Sequence, residues 1–396
     1  MKSLDNLTKD SLTITLKSFF GFEQVLADEL TELGYENIEL LNRAVQIKGT
    51  WRDVYYLNLH SRCAISILVE LASFRLFNED DLYKKSAQID WTTIFNSKQT
   101  FAIKGAVNSA LFKNSHYPFL VVKDAIVDCF RDKDMDRPSI ELKTPSVLID
   151  LYIRENVATL SLNTSGAPLF QRGYRTETGS APLNEVVAAC LIRQSGWDRK
   201  TTFLDPFCGS GTILIEAALL ASGIPSSIER QHYTFKNLKN FDAKMWDEIY
   251  DAAPRIVREL PCRIFGSDIE DEMVLKARRN LRGMSFGRNI LISALDFRDI
   301  PHQEEEIFIV TNPPYGERLA ADIVDLYTGI GDWLKNTMNP STTWILTSSE
   351  DGAKSIGLRP GKKFNIYNGD IPCTFRSYET FSGSLKEFKS KGAQEQ

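Results

Sequence analysis

Three aspartates each close a short apolar run: Asp205 in TTFLDPFCGSG, Asp268 in IFGSDIE and Asp296 in SALDF. Asp205 stands directly before a turn carrying Gly209 and Gly211, and an apolar, helix-like stretch follows. Glycines there let the backbone approach a ligand closely, and the start of the next helix offers unpaired N–H groups. The turn is not a dinucleotide fingerprint, because Leu214 stands where the third glycine belongs, and no Gly-Lys-Ser/Thr of a P-loop is present. A carboxylate at this place repels a pyrophosphate and suits a ligand bearing an ammonium or sulfonium group. Asp268, one strand–helix unit later, can accept from both hydroxyls of a ribose. Asp296 and Phe297, a further unit on, can hold an adenine amino group and ring face. Any one of these aspartates could be a helix cap or a loop residue. Three at successive strand ends, beside a glycine turn, describe a site for S-adenosylmethionine.

A second constellation, NPPYGER at 312–318, follows the apolar residues Ile307, Phe308, Ile309 and Val310. Proline fixes φ and lacks an N–H, so the corner is rigid and offers acceptors rather than donors. Such a corner beside an aromatic ring can grip a planar amino group and stack on it. The plainer reading is a Pro-Pro loop end with a packed tyrosine.

DPFCGSG at 205–211 resembles the first motif of Rossmann-like class I methyltransferases, which implies that Pro206, Phe207, Gly209, Gly211 and Ile269 join Asp205, Asp268, Asp296 and Phe297 around the cofactor. Members of that class that methylate exocyclic amino groups carry an Asn/Asp-Pro-Pro-aromatic element after the fourth strand, and Asn312, Pro313, Pro314 and Tyr315 match it. The resemblance implies that the Asn312 side-chain oxygen and the Pro313 carbonyl accept the two hydrogens of the amino group, that Tyr315 stacks on the base, and that Asn312 also borders the cofactor. Asn-Pro-Pro-Tyr alone does not separate adenine-N6 from guanine-N2 transfer. Gly316, Glu317 and Arg318 resemble the continuation found in guanine-N2 RNA methyltransferases. FQRGYR at 170–175 with APLNE at 181–185 resembles the joint between a THUMP RNA-binding domain and its methyltransferase. Phe19, Gly21, Phe22 and Glu23 resemble the Phe-Gly-Leu-Glu element of the same family's first module, with Phe22 in place of leucine. Taken together these motifs resemble those of bacterial 23S ribosomal RNA guanine-N2 methyltransferases in the form with one catalytic domain.

The elements that must position these residues follow from periodicity. Alternation predicts strands at 11–17, 38–48 and 64–71, with helices at 22–33 and 51–59 between them. A second α+β stretch has strands at 101–107, 147–152 and 157–162 and a helix at 117–130. Regular alternation then predicts helix 183–194, strand 202–204, helix 213–221, strand 263–267, helix 272–281, strands 290–294 and 307–311, helix 322–335 and strand 342–346. This is an open, mostly parallel sheet covered on both faces, with an antiparallel edge from 363–367 and 374–378. The expected organisation is a ferredoxin-like module at 1–72, a THUMP domain at 73–165, a methyltransferase domain at 166–381 and a polar tail at 382–396. Residues 163–180 read as a linker.

At 396 residues with 43% hydrophobic and 25% charged content, the chain is an ordinary globular protein of two or three domains. No apolar run reaches membrane-spanning length and the start lacks a signal-peptide core, so the expected compartment is the cytoplasm and no membrane partner is expected. Six cysteines without a Cys-x-x-Cys pair and four scattered histidines give no expected metal site. The net charge of −5 is unusual for a nucleic-acid binder, so an RNA-facing surface has to be local. On composition alone the lysines at 84–133 are solvated charges offset by neighbouring aspartates. The family resemblance implies RNA contacts for Lys84, Lys85, Lys104, Lys123, Arg172, Arg175 and Arg318. Three further readings stay open: an adenine-N6 DNA methyltransferase, a tRNA guanine-N2 methyltransferase, and a non-catalytic RNA-binding assembly factor. The oligomeric state is not legible.

Overall fold

The structure is a computed structural model that describes residues 11–177, 182–302, 305–314 and 320–381. The chain divides into two compact units. The first contains residues up to Ser18, then Leu26–Gln171 and Arg230–Ala253; the second contains Phe19–Val25, Arg172–Glu229 and everything from Pro254 onward.

The first unit is built on one seven-stranded sheet of order β2-β3-β1-β4-β7-β6-β5. Its elements are β1 (Leu12–Lys17), α1 (Glu23–Glu32), β2 (Glu39–Leu41), β3 (Ala44–Gly49), α2 (Trp51–His60), β4 (Ser66–Arg75), α3 (Asp80–Ser86), β5 (Phe101–Asn108), α4 (Tyr117–Arg131), β6 (Val147–Arg154) and β7 (Val157–Asn163). The period-2 pattern of LTITLK buries Leu12, Ile14 and Leu16 and turns the polar residues outward. Where one strand was expected at 38–48 there are two, because the polar Asn42–Arg43 pair forms a tight turn with Arg43 at φ 57°. The expected module boundary at residue 72 falls inside β4. That strand pairs with β1 on one side and with β7 on the other, so the sheet runs through the boundary unbroken.

The same unit recruits residues 230–253, which lie inside the expected methyltransferase span of 166–381 and for which no element was expected. There α7 (Ala243–Ala252; α5 and α6 lie in the second unit) and the turn before it bring Tyr233, Phe235, Phe241 and Trp246 together with Tyr55 of α2. The Arg230 guanidinium donates to the carbonyls of Ser165, Ala167, Pro168, Gln171 and His232. The expected linker at 163–180 is therefore packed chain over its first part, its carbonyls satisfied by one buried cation.

The second unit contains α5 (Glu185–Ser195), β8 (Thr202–Asp205), α6 (Thr212–Ser222), β9 (Ile264–Asp268), α8 (Asp271–Leu281), β10 (Ile290–Ala294), β11 (Ile307–Thr311), α9 (Ala320–Asn336), β12 (Ser341–Thr347), α10 (Glu350–Ser355), β13 (Lys363–Asn368) and β14 (Ile371–Thr380). Asn184 caps α5 by accepting from the N–H groups of Val186 and Val187, and Gly196 ends it at φ 76°. The sheet order is β10-β9-β8-β11-β12-β14-β13, parallel from β10 to β12 and antiparallel at β14 and β13. Central strands β8 and β11 are buried along their whole length, as continuous apolar runs in a parallel sheet must be. Beneath β8 and β11 lies a core of Ile307, Ile309, Tyr327, Trp333, Leu334, Ile345 and Tyr378 with their neighbours. The order reverses between β8 and β11. A parallel sheet splays its loops apart at that point, leaving a crevice at the carboxyl ends of its strands.

Candidate active site

The crevice lies where the sequence motifs end. Asp205 closes β8, and the following turn takes two left-handed residues, Gly209 at φ 52° and Gly211 at φ 85°. A Cβ on Gly211 would lie 3.1 Å from the Ala277 side chain of α8, whereas one on Gly209 would meet nothing within 4 Å. Gly211 thus serves close packing, and Gly209 leaves room for a ligand against bare backbone. The Gly209 N–H donates to Asp268 Oδ2 at 2.9 Å, and the Glu270 N–H donates to Asp268 Oδ1 at 3.0 Å. Two backbone donors thus fix the half-buried Asp268 carboxylate in an orientation, which suits a diol acceptor. Next to it Ile269 is 71% exposed, an apolar side chain with no covering partner in the fold's core.

Asp205 is 1% exposed and accepts from Thr311 Oγ1 at 2.7 Å and from the Phe207 N–H at 3.2 Å. Burial pushes its carboxyl up to about 7, opposed by those two donors and assisted by the nearby Asp268. Thr311 ends β11, so this bond joins the two strands that flank the crevice. The next residue, Asn312, is half-buried, and its Oδ1 is sealed from solvent without a hydrogen-bond partner among the described residues. A buried amide oxygen left unpaired costs about 1–3 kcal/mol, so it marks either strain or a missing donor. Pro313 is buried and Pro314 exposed. Tyr315, Gly316, Glu317 and Arg318 lie outside the described residues.

Three expectations are corrected, for Phe297, Arg172 and Arg175, and Asp296 has a competing partner. Phe297 does not offer a ring face to a ligand. It is 4% exposed, with Phe207 at 5.2 Å and Trp333 at 5.6 Å between ring centroids, because the turn after β10 folds back onto the core. Asp296 caps that turn through the Arg298 N–H and is held by the Arg298 guanidinium, which keeps its carboxyl below the usual range. Three bonds from Arg298 occupy most of its acceptor positions and leave one on Oδ2; Arg298 is two-thirds exposed and a pair of that kind contributes only about 0–1 kcal/mol. Arg172, expected at an RNA surface, is 1% exposed and paired with the buried Glu216. Arg175 is likewise turned inward, donating to Glu185, the Leu183 carbonyl and Thr212 Oγ1. FQRGYR therefore braces the start of α6 from below. Of the lysines, Lys84 and Lys104 are exposed, Lys85 lies 5.7 Å over the Phe74 ring, and Lys123 is paired with Asp124 at 2.6 Å.

Sequence reasoning missed Thr311 and Asn280. Asn280 is 2% exposed and makes five bonds. It accepts from the Thr176 N–H and hydroxyl and the Glu177 N–H, and it donates to the carbonyls of Glu177 and Ser210. The available signal was a polar residue on the apolar Val274–Ala277–Leu281 face of α8. Among the described residues, no group of three or more His, Cys, Asp and Glu could hold a metal ion, and no helix is long and apolar enough to cross a membrane.

Strand order, glycine turn and the Asn-Pro-Pro corner beside the switch point define a class I methyltransferase fold. Residues 172–377 match the family model described as RMKL-like, methyltransferase domain; residues 77–163 match the THUMP domain and residues 13–68 the RlmL ferredoxin-like domain. The chain belongs to the RMKL-like methyltransferase family. It is similar to the ribosomal RNA large subunit methyltransferase K/L of Vibrio campbellii, 34% identical over 377 residues that cover 93% of this chain and 53% of that one. The chain thus spans about half the length of that relative. A Synechocystis protein named provisionally as an RNA methyltransferase is 35% identical over 364 residues, covering 91% of this chain and 95% of the relative. Among solved structures, a chain named provisionally as a methyltransferase and crystallised with SAH superposes with a TM-score of 0.84 at 25% identity, covering 97% of this chain and 100% of that one.

Proposed function

We propose that this protein uses S-adenosylmethionine to methylate the exocyclic N2 amino group of a guanine in RNA, with large-subunit (23S) ribosomal RNA as the substrate. The observation that carries the reading is the buried Oδ1 of Asn312, unpaired among the described residues, one residue beyond the strand end bonded to Asp205. The residues present fit the cofactor. Bare backbone at Gly209, the anchored Asp268 carboxylate and the exposed Ile269 offer a cradle, a diol acceptor and an apolar rest for a ring. When bound, the cofactor supplies a methyl group already activated on a sulfonium.

The chain's own task is positioning, an effect that can contribute about 7–11 kcal/mol. A base amino nitrogen is a poor nucleophile because its lone pair is delocalised into the ring. Asn312 Oδ1 and the Pro313 carbonyl accept its two hydrogens, favour a pyramidal nitrogen and aim the lone pair. Tyr315 stacks on the base. The nitrogen that receives the methyl group would give its extra proton to water. No basic side chain is required.

In this assignment residues 1–72 are the ferredoxin-like module, 73–165 the THUMP domain and 166–381 the methyltransferase, with Lys84, Lys85 and Lys104 meeting RNA phosphates. A ribosomal substrate places the reaction in the cytoplasm. The test is nucleoside analysis of ribosomal RNA incubated with the protein and methyl-labelled S-adenosylmethionine. N2-methylguanosine is expected; label recovered in N6-methyladenosine would sink the guanine assignment.

A further inference from the structure

The two halves of the crevice meet at one hydrogen bond, between Thr311 of β11 and Asp205 of β8. Both residues are sealed from solvent, at 2% and 1% exposed, and their strands are neighbours where the sheet order reverses. The titratable groups acting on Asp205 are Asp268 at the end of β9 and Cys208 in the turn. Asp268 opposes the charge on Asp205, and the Cys208 thiol is pushed well up by burial and stays neutral. No cation is among the described groups acting on Asp205, so its ionised form is supported by the Thr311 hydroxyl and the Phe207 N–H.

We propose that Thr311 is a positioning residue for methyl transfer. Its hydroxyl keeps Asp205 charged and oriented as the counter-charge for the cationic end of the cofactor, and fixes the strand end from which the Asn312 turn springs. This rests on the cofactor reading above. A cation binds the ionised carboxylate, so its affinity rises with pH and levels off above the point where Asp205 ionises. Of the influences that favour ionisation, the Thr311 bond is the largest, and losing it moves that point upward by about one to two pH units.

The experiment titrates two ligands into the full chain by calorimetry from pH 6 to pH 9. One is S-adenosylmethionine; the other is 5′-methylthioadenosine, which shares the nucleoside but carries no charge. Thr311→Val, nearly the same shape without the hydroxyl, should weaken S-adenosylmethionine at least about fivefold at pH 7 and shift its pH profile upward by about one to two units. It should leave methylthioadenosine binding unchanged. Thr311→Ser, which keeps the hydroxyl, should restore the parent profile. Equal loss of both ligands in Thr311→Val would show a packing role and overturn the inference, as would an unshifted pH profile. A parent protein that binds neither ligand would overturn the cofactor reading itself, and the inference with it.

Discussion

Replacing Asn312 with alanine separates what the residue does for the fold from what it does for the reaction. Among the described residues its Oδ1 is buried without a partner, and an amide oxygen left so costs about 1–3 kcal/mol. Asn312 is only half-buried, so truncation leaves a shallow gap rather than a closed cavity. The net effect on the free protein is about 0–2 kcal/mol of stabilisation, which moves the melting temperature of a unit this size upward by roughly 0–8 °C. In the reaction the same change removes one of two preorganised acceptors for the amino group. Loss of one such group costs about 2.7–4 kcal/mol, or 10²–10³ in turnover. Cofactor affinity should stay within about twofold, because the anchored carboxylate and glycine turn are untouched. Differential scanning fluorimetry, calorimetry with S-adenosylmethionine and a methyl-transfer assay on ribosomal RNA read the three quantities separately. Turnover within tenfold of the parent would refute the acceptor role. A melting temperature lowered by several degrees would show that Oδ1 has a structural partner after all.

Asp268→Ala should raise the dissociation constant for S-adenosylmethionine at least tenfold by calorimetry, and also free the Gly209 and Glu270 N–H groups it now binds; an unchanged constant would remove it from the site. Asp205 has a folded-state carboxyl raised above its unfolded value, so its contribution to stability is complete below about pH 4 and is lost as pH rises through about 7. Asp205→Asn should therefore raise the melting temperature of the ligand-free protein at pH 8 more than at pH 5, while weakening cofactor binding. Arg172→Ala leaves the buried Glu216 without its counter-charge and with the Tyr174 hydroxyl as donor, and should destabilise the second unit by about 3–5 kcal/mol in urea denaturation. RNA affinity measured on the folded fraction should not change, since the guanidinium never reaches the surface.

The placement of the strand-end residues was legible because it obeys a local rule. In a parallel sheet the ligand side is the carboxyl end of every strand, so Asp205, Asp268, Asp296 and Asn312 could be placed by counting strand–helix units. What failed depended on contacts distant in sequence. An aromatic residue after a strand reads the same whether it faces a ligand or the core, and Phe297 was decided by Phe207 and Trp333. Arg172 and Arg175 in a glycine-rich stretch read as a basic surface. Their partners Glu216 and Glu185 lie on helices whose composition is otherwise apolar or unremarkable. The single front sheet was hidden for the same reason: the β4–β7 pairing joins residues some ninety positions apart, and no turn signal announces it.

The return of residues 230–253 to the first unit also constrains how the protein can be made. A chain that folds as it is synthesised cannot finish its first unit when Gln171 emerges, because Tyr55 still lacks Phe235, Phe241 and Trp246. Those rings arrive roughly 80 residues further on, which at about 5–20 residues per second is a wait of roughly 4–16 s. For that interval α2 presents an uncovered aromatic face while the first strand of the second unit is already out. No single cut in the gene can separate the two units cleanly. A fragment starting after residue 165 would carry the aromatic segment without its helix and would lack Phe19–Val25, so the second unit needs residues 230–253 replaced by a short loop and the 19–25 segment supplied separately.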